Sequence, residues 1–125
     1  MILSGTVRSG KGDFSYWMGK LHALYTEKTG VTLYPGSLNI ELAAPYDLPL
    51  EGVTRVEKEE YGGRVSVSIL PCMVSGIHAF IMRTDQNADG SGDHPRTIIE
   101  VAAQVRLREA LGLSDGDIVT VEVPD

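Results

Sequence analysis

Four short stretches of this chain combine residue types that do chemistry. In "RTDQNADGSGDHPRTIIE", Asp85, Asn87 and Asp89 alternate, Gly90 follows, and Asp93 stands at the ninth position, in the manner of a calcium loop. An EF-hand needs a bidentate acid at its twelfth position, and counting from Asp85 that position is Arg96. The flanks, "AFIM" and "TIIEVAA", read as strands where an EF-hand requires helices. The expectation is a solvated loop whose Asp, Asn and Gly residues serve turn geometry, with weak calcium binding as the alternative. His94 and Pro95 close the loop, and His22, His78 and His94 show no metal-ligand spacing.

The second stretch is "SGKGDFS", in which Gly10 and Gly12 let the backbone approach a ligand and Lys11 adds charge. Successive N–H groups there can form an anion-binding concavity, although the Gly-Lys-Ser/Thr of a Walker A loop is absent. A plain strand-to-helix turn is the alternative. In "YPGSLNIEL" a Pro-Gly turn leads into a strand that brings Ser37 and Asn39 to one face. Both are neutral oxygen donors suited to Mg²⁺, which takes few protein ligands; alternatively, each bonds its own backbone at the turn. In "VRLREALGLSDGD", Arg106 and Arg108 flank Leu107 at a strand-to-helix junction, where guanidinium and helical N–H groups favour phosphate. Arg108 and Glu109 read equally well as a solvated charged face.

The elements that must position these residues are mainly strands. Residues 2–8, 37–42, 64–70 and 118–123 alternate polar and apolar, as half-buried strands do. Residues 73–82 and 97–103 are more continuously apolar, as strands covered on both faces would be. Breaks are expected at Gly62-Gly63, at Pro71 and over 114–117. Helical spacing of Trp17, Leu21, Leu24 and Tyr25 predicts a helix over 17–28 with Gly30 past its end, and a shorter one covers 105–113. Six or so short strands with one or two peripheral helices predict a small, closed or nearly closed β-barrel, and closure would remove exposed edges.

At 125 residues the chain is expected to be a single domain, 1–125. A net charge of −6 argues against nucleic acid or an anionic membrane as the main partner, while leaving room for a local phosphate site. Cys72 is the one cysteine, which rules out an internal disulfide or a cysteine-rich zinc site. No apolar run approaches the roughly 18 residues of a membrane span, and the expectation is a cytoplasmic enzyme or binding module.

In order, "GTVRSGKGD", "YPGSLNIEL", "RT…HPRTIIEVAA" and "VRLREALGLSDGDIVTVEV" resemble the archaeal-type, CTP-dependent riboflavin kinase family, nearly from end to end. The resemblance implies a cradle-loop β-barrel that transfers the γ-phosphoryl of CTP to the 5′-hydroxyl of riboflavin, giving FMN and CDP with Mg²⁺. It implies nucleotide contacts from Gly10, Lys11, Gly12, Asp13, Phe14 and Ser15 and from Arg106, Leu107, Arg108 and Glu109. It further implies Mg²⁺ ligation by Ser37 and Asn39 and flavin contacts from Thr84 and Glu100, and it names no general base. Phe14 stands where the family carries glycine, Ser37 where it carries threonine and Gln104 where it carries proline. The span from Thr84 to His94 exceeds the family's, so "DQNADGSG" reads as an insertion, a lid beside the flavin end of the site. The competing readings are a non-catalytic flavin- or nucleotide-binding relative and a calcium-binding barrel.

Overall fold

The computed structural model describes residues 1–10 and 14–124. Its strands are β1 (Ile2–Arg8), β2 (Leu38–Leu42), β3 (Thr54–Val56), β4 (Val67–Val74), β5 (Ile77–Thr84), β6 (Ile98–Ala103) and β7 (Ile118–Glu122). The helices are α1 (Phe14–Lys20), α2 (His22–Thr29), α3 (Asp85–Asp89) and α4 (Leu107–Ala110), with a 3₁₀ turn over Lys58–Glu60. All pairings are antiparallel, in the order β4-β5-β6-β2-β1-β7. Met73 opposite Glu122 and Val74 opposite Val121 bring β7 back to β4, closing a six-stranded barrel. The short β3 lies outside the ring, on β4.

Period-two alternation builds two cores from this one sheet. Residues of one parity, such as Val7, Ile40, Leu70, Ile81, Val101 and Val121, fill the barrel interior and are almost wholly buried. Those of the other parity on β4, β5 and β6, namely Ile69, Met82 and Ala102, meet Met18 of α1 and Tyr25 of α2 in a second layer outside. This explains why the sequence of these three strands is nearly continuous in apolar residues: both faces are covered.

Four expectations about the elements change. The helix predicted over 17–28 is two, bent at Leu21, whose ψ of 23° leaves the helical region. Hydrogen bonds still run through the bend, from Leu21 N–H to the Trp17 carbonyl (2.8 Å) and from Tyr25 N–H to the Leu21 carbonyl (3.0 Å). Pro71 does not break a strand. It lies within β4, whose outer edge pairs with β3 at residues 67–69 and with β7 at 73–74, so the residue lacking an N–H falls in the interval between partners. The run 73–82 is instead divided at Ser75-Gly76, a two-residue hairpin turn whose central φ angles are 48° and 82°. The loop after Thr84 begins as a helix, because the Thr84 hydroxyl oxygen accepts from Asn87 N–H and Gly90 ends it in the left-handed region. Among the described residues, no helix is long and apolar enough to cross a membrane.

Candidate active site

Asn39 lies at the centre of the site. It stands in β2 opposite Arg8 of β1 and Glu100 of β6, on the outer face of the barrel wall. Ser37, two residues earlier, shares that face. Gly10 packs on the Asn39 side-chain amide so closely that a Cβ there would overlap it. Asn39 Oδ1 is buried and has no hydrogen-bond donor among the described residues. An acceptor left in this state costs roughly 1–3 kcal/mol, so the arrangement suits a ligand that brings positive charge to it.

Glu100 faces the same spot. The Ser37 hydroxyl donates to its Oε2 at 3.4 Å, and His94 Nε2 lies 3.2 Å from its Oε1. Burial pushes this carboxyl up to about 7; the charge of Asp93 adds to the effect, while the Ser37 hydrogen bond and Arg83 oppose it. Beneath it, the buried Arg83 guanidinium donates to the carbonyls of Tyr46, Arg96 and Ile98, tying two loops to the barrel end.

Two cavities flank the Ser37–Glu100 contact. The larger, about 640 Å³, is walled by Trp17, Leu21, Tyr25, Tyr61, Thr84 and Glu100, and lies within the size range of small-molecule sites. Desolvation holds the Tyr25 hydroxyl up at about 12, so it is a neutral wall residue. The smaller, about 210 Å³, is lined by Ser15, Tyr34, Ser37, Val105, Arg106 and Arg108. Ser37 borders one cavity and Glu100 the other.

The structure therefore gathers most of the residues singled out in the sequence. Ser15, Ser37, Arg106, Leu107 and Arg108 line the smaller cavity, and Thr84 and Glu100 the larger. The Leu107 side chain packs into the barrel core, which leaves its backbone for any ligand. Arg106 pairs with Glu109 at 2.9 Å, and Arg108 pairs with Asp115 at 2.8 Å, where Ser9 also binds. Lys11, Gly12, Asp13 and the Phe14 side chain lie outside the described residues.

Trp17 and Tyr25 were read for helical packing alone, and Gly62-Gly63 as a turn; both groups also wall the large cavity. Tyr34 and Val105, which rim the small one, carried no signal beyond their neighbours' motifs. His94, which the sequence presents as a lone histidine, is buried against Glu100. Three of the four candidate calcium ligands, Asp85, Asn87 and Asp89, accept hydrogen bonds from protein donors. Asp85 takes both terminal nitrogens of Arg55 (2.7 and 3.0 Å), Asn87 Oδ1 takes His94 N–H (3.2 Å), and Asp89 Oδ1 takes Ser91 N–H (2.8 Å) and its hydroxyl (2.6 Å).

Comparison with known proteins identifies the family. A family profile for CTP-dependent riboflavin kinase, described as a domain of unknown function (DUF120), matches residues 7–123. The chain is 32% identical over 128 residues to a riboflavin kinase of Methanocella arvoryzae, covering 96% of this chain and 56% of that protein. It is 34% identical over 131 residues to one of Pyrobaculum arsenaticum (97% and 60%), and 33% identical over 129 residues to one of Thermococcus kodakarensis (98% and 58%). The chain thus spans a little under three-fifths to three-fifths of the length of these curated relatives. With a closed cradle-loop barrel and a profile match over nearly its whole length, the chain belongs to the CTP-dependent riboflavin kinase family.

Proposed function

We propose that this domain transfers the γ-phosphoryl group of CTP to the 5′-hydroxyl of riboflavin, giving FMN and CDP. The observation that carries this reading is the junction of two cavities of different character at Ser37 and Glu100. The wide, largely apolar one suits a flavin ring. The narrow one, with its serines and arginines, suits a polyphosphate. In the reaction the hydroxyl oxygen forms the new bond to the γ-phosphorus, the bond from that phosphorus to the β–γ bridging oxygen breaks, and the hydroxyl proton leaves. Phosphoryl transfer asks a protein mainly for positioning and charge neutralisation.

Ser37 and Asn39 fit Mg²⁺: both offer neutral oxygens from one face, and Asn39 Oδ1 is buried without a donor. Bound there, Mg²⁺ supplies charge neutralisation for the phosphate oxygens. The remaining roles fall to the chain itself. The backbone at Gly10 and Leu107 leaves room for a ligand, Trp17 and Tyr25 keep water from the flavin side, and Glu100 accepts a hydrogen bond at the junction.

A second reading, a relative that binds flavin or nucleotide without turnover, is favoured by one observation. Arg106 and Arg108 already hold carboxylates, so neither guanidinium is uncommitted. The two readings separate in one experiment: protein, riboflavin and Mg²⁺ are incubated with each nucleoside triphosphate, and products are resolved by chromatography. FMN is expected with CTP, and Asn39→Ala is expected to lower turnover by more than about 100-fold, the scale of losing one electrostatic contact to a transition state. Riboflavin fluorescence should still be quenched by that variant. Quenching without FMN from the parent protein would select the second reading.

A further inference from the structure

The segment after Thr84 plays no part in the reaction as written above, yet it is densely bonded. Arg55 clamps Asp85, Thr84 caps α3, and Ser91 folds back onto Asp89. The cap bond comes from Asn87 N–H; Asn87 is buried, and its Oδ1 accepts His94 N–H at 3.2 Å. Gly92 lies against the same carboxamide, and a Cβ there would overlap Asn87 Oδ1. His94 is itself only 5% exposed, and its Nε2 reaches Glu100 Oε1 at 3.2 Å. A chain of contacts therefore runs from the Asn87 carboxamide, through the His94 backbone N–H that it accepts, to the His94 ring beside Glu100 Oε1. The other carboxyl oxygen, Oε2, accepts from Ser37, with one cavity on each side of that contact.

A glutamate side chain has several rotamers, and each ordered one costs conformational entropy. Within this wall, the imidazole selects the rotamer, and the carboxamide fixes the backbone that carries the imidazole. The oxygen so aimed lies at the Ser37 contact, on the border between the wide and the narrow cavity. A site built to bond a hydroxyl rejects an analogue that lacks it, because the buried partner is then left unpaired.

We propose that Asn87 and His94 are positioning residues that hold Glu100 to read the terminal hydroxyl of the acceptor, which makes the inserted segment a determinant of acceptor specificity. This rests on the proposed binding of riboflavin in the wide cavity, not on its turnover. The fixed bonding makes the segment a wall of the site and not a lid over it.

The test compares the affinities of riboflavin and 5′-deoxyriboflavin by fluorescence quenching, in the parent protein and in His94→Ala, His94→Gln and Asn87→Ala. The parent is expected to prefer riboflavin by about 10-fold or more, the scale of one hydrogen bond to a carboxylate. His94→Ala should bring the ratio close to one while leaving 5′-deoxyriboflavin affinity unchanged. His94→Gln, which keeps a side-chain N–H, should retain most of the preference, and Asn87→Ala should fall between. Where turnover is seen, kcat should drop in His94→Ala with the KM for CTP unaltered. A preference unchanged in folded His94→Ala and Asn87→Ala overturns the proposal, as does equal loss of both ligands in every variant. Should His94→Ala not fold, Asn87→Ala and His94→Gln decide the matter alone. Because the affinity ratio needs no turnover, absence of FMN from every mixture would defeat the kinase reading without touching this one. FMN formation with an unchanged ratio would do the reverse.

Discussion

Glu100 shows how one residue links fold to function. Its carboxyl is held at about 7 against an ordinary 4.5, chiefly because burial strips its water. A native state that holds the proton more tightly than the unfolded chain gains stability below pH 4.5 and loses it as pH rises through 7. The whole loss is on the order of 3 kcal/mol. Asp85 and Asp89 work in the opposite sense, held low by Arg55 and by Ser91, and their effect falls below pH 3.8, outside this window. Urea unfolding without metal or nucleotide, between about pH 5 and 8, should therefore show stability falling with pH. In Glu100→Gln the slope should largely vanish. Parallel curves for the two proteins would mean that the carboxyl is better solvated than its surroundings indicate.

At the scale of elements, the β4–β5 hairpin is the longest pairing in the barrel and turns on Ser75-Gly76 alone. Both central residues have positive φ, which glycine tolerates and serine does not favour. Gly76→Ala should cost about 1–2 kcal/mol in urea unfolding, while Ser75→Asn should gain a few tenths, following the preference of such turns for Asn-Gly. A neutral Gly76→Ala would show that the turn can adopt another geometry. This hairpin also marks where the sequence was hard to read. A serine and a glycine among apolar residues signal a turn only weakly, whereas Pro71 signals a break strongly. In the folded chain the proline lies in the interval between β3 and β7, a fact of sheet closure that no local window contains. The alternation of β1 and β7 was legible because each has one buried face, and that of β2 because its second face carries the polar Asn39 and Glu41. Ser37 and Asn39 were legible for the same reason, since period two alone puts them together. His94 was not, because its partner lies across a turn and its anchor Asn87 is in a helix whose start depends on the Thr84 cap. The large cavity was likewise illegible, since Trp17, Tyr61 and Glu100 come from a helix, a turn and a strand that meet only when the barrel closes.

At the scale of the molecule, the proposed reaction brings a polyanion to a protein of net charge −6. Long-range attraction cannot draw the nucleotide in, because the overall field repels it. The arginines near the narrow cavity do not reverse this. Arg8 pairs with Glu41 at 2.9 Å, Arg106 with Glu109 and Arg108 with Asp115, so each brings a carboxylate with it. Binding must then rest on short-range terms: backbone N–H groups, Mg²⁺ and the few side chains at contact distance, which salt screens weakly. Raising ionic strength from about 20 to 200 mM shortens the screening length severalfold and weakens the distant repulsion more than the close contacts. The kcat/KM for CTP, measured at saturating Mg²⁺ and riboflavin, is therefore expected to hold steady or rise by up to about 3-fold across that range. A steady fall of about 10-fold would instead reveal a strong local positive field at the nucleotide cavity, with the paired arginines released to the phosphates on binding. Repeating the titration with Arg108→Gln would then separate these cases: a slope that flattens assigns the field to that guanidinium, and an unchanged slope places it elsewhere around the cavity.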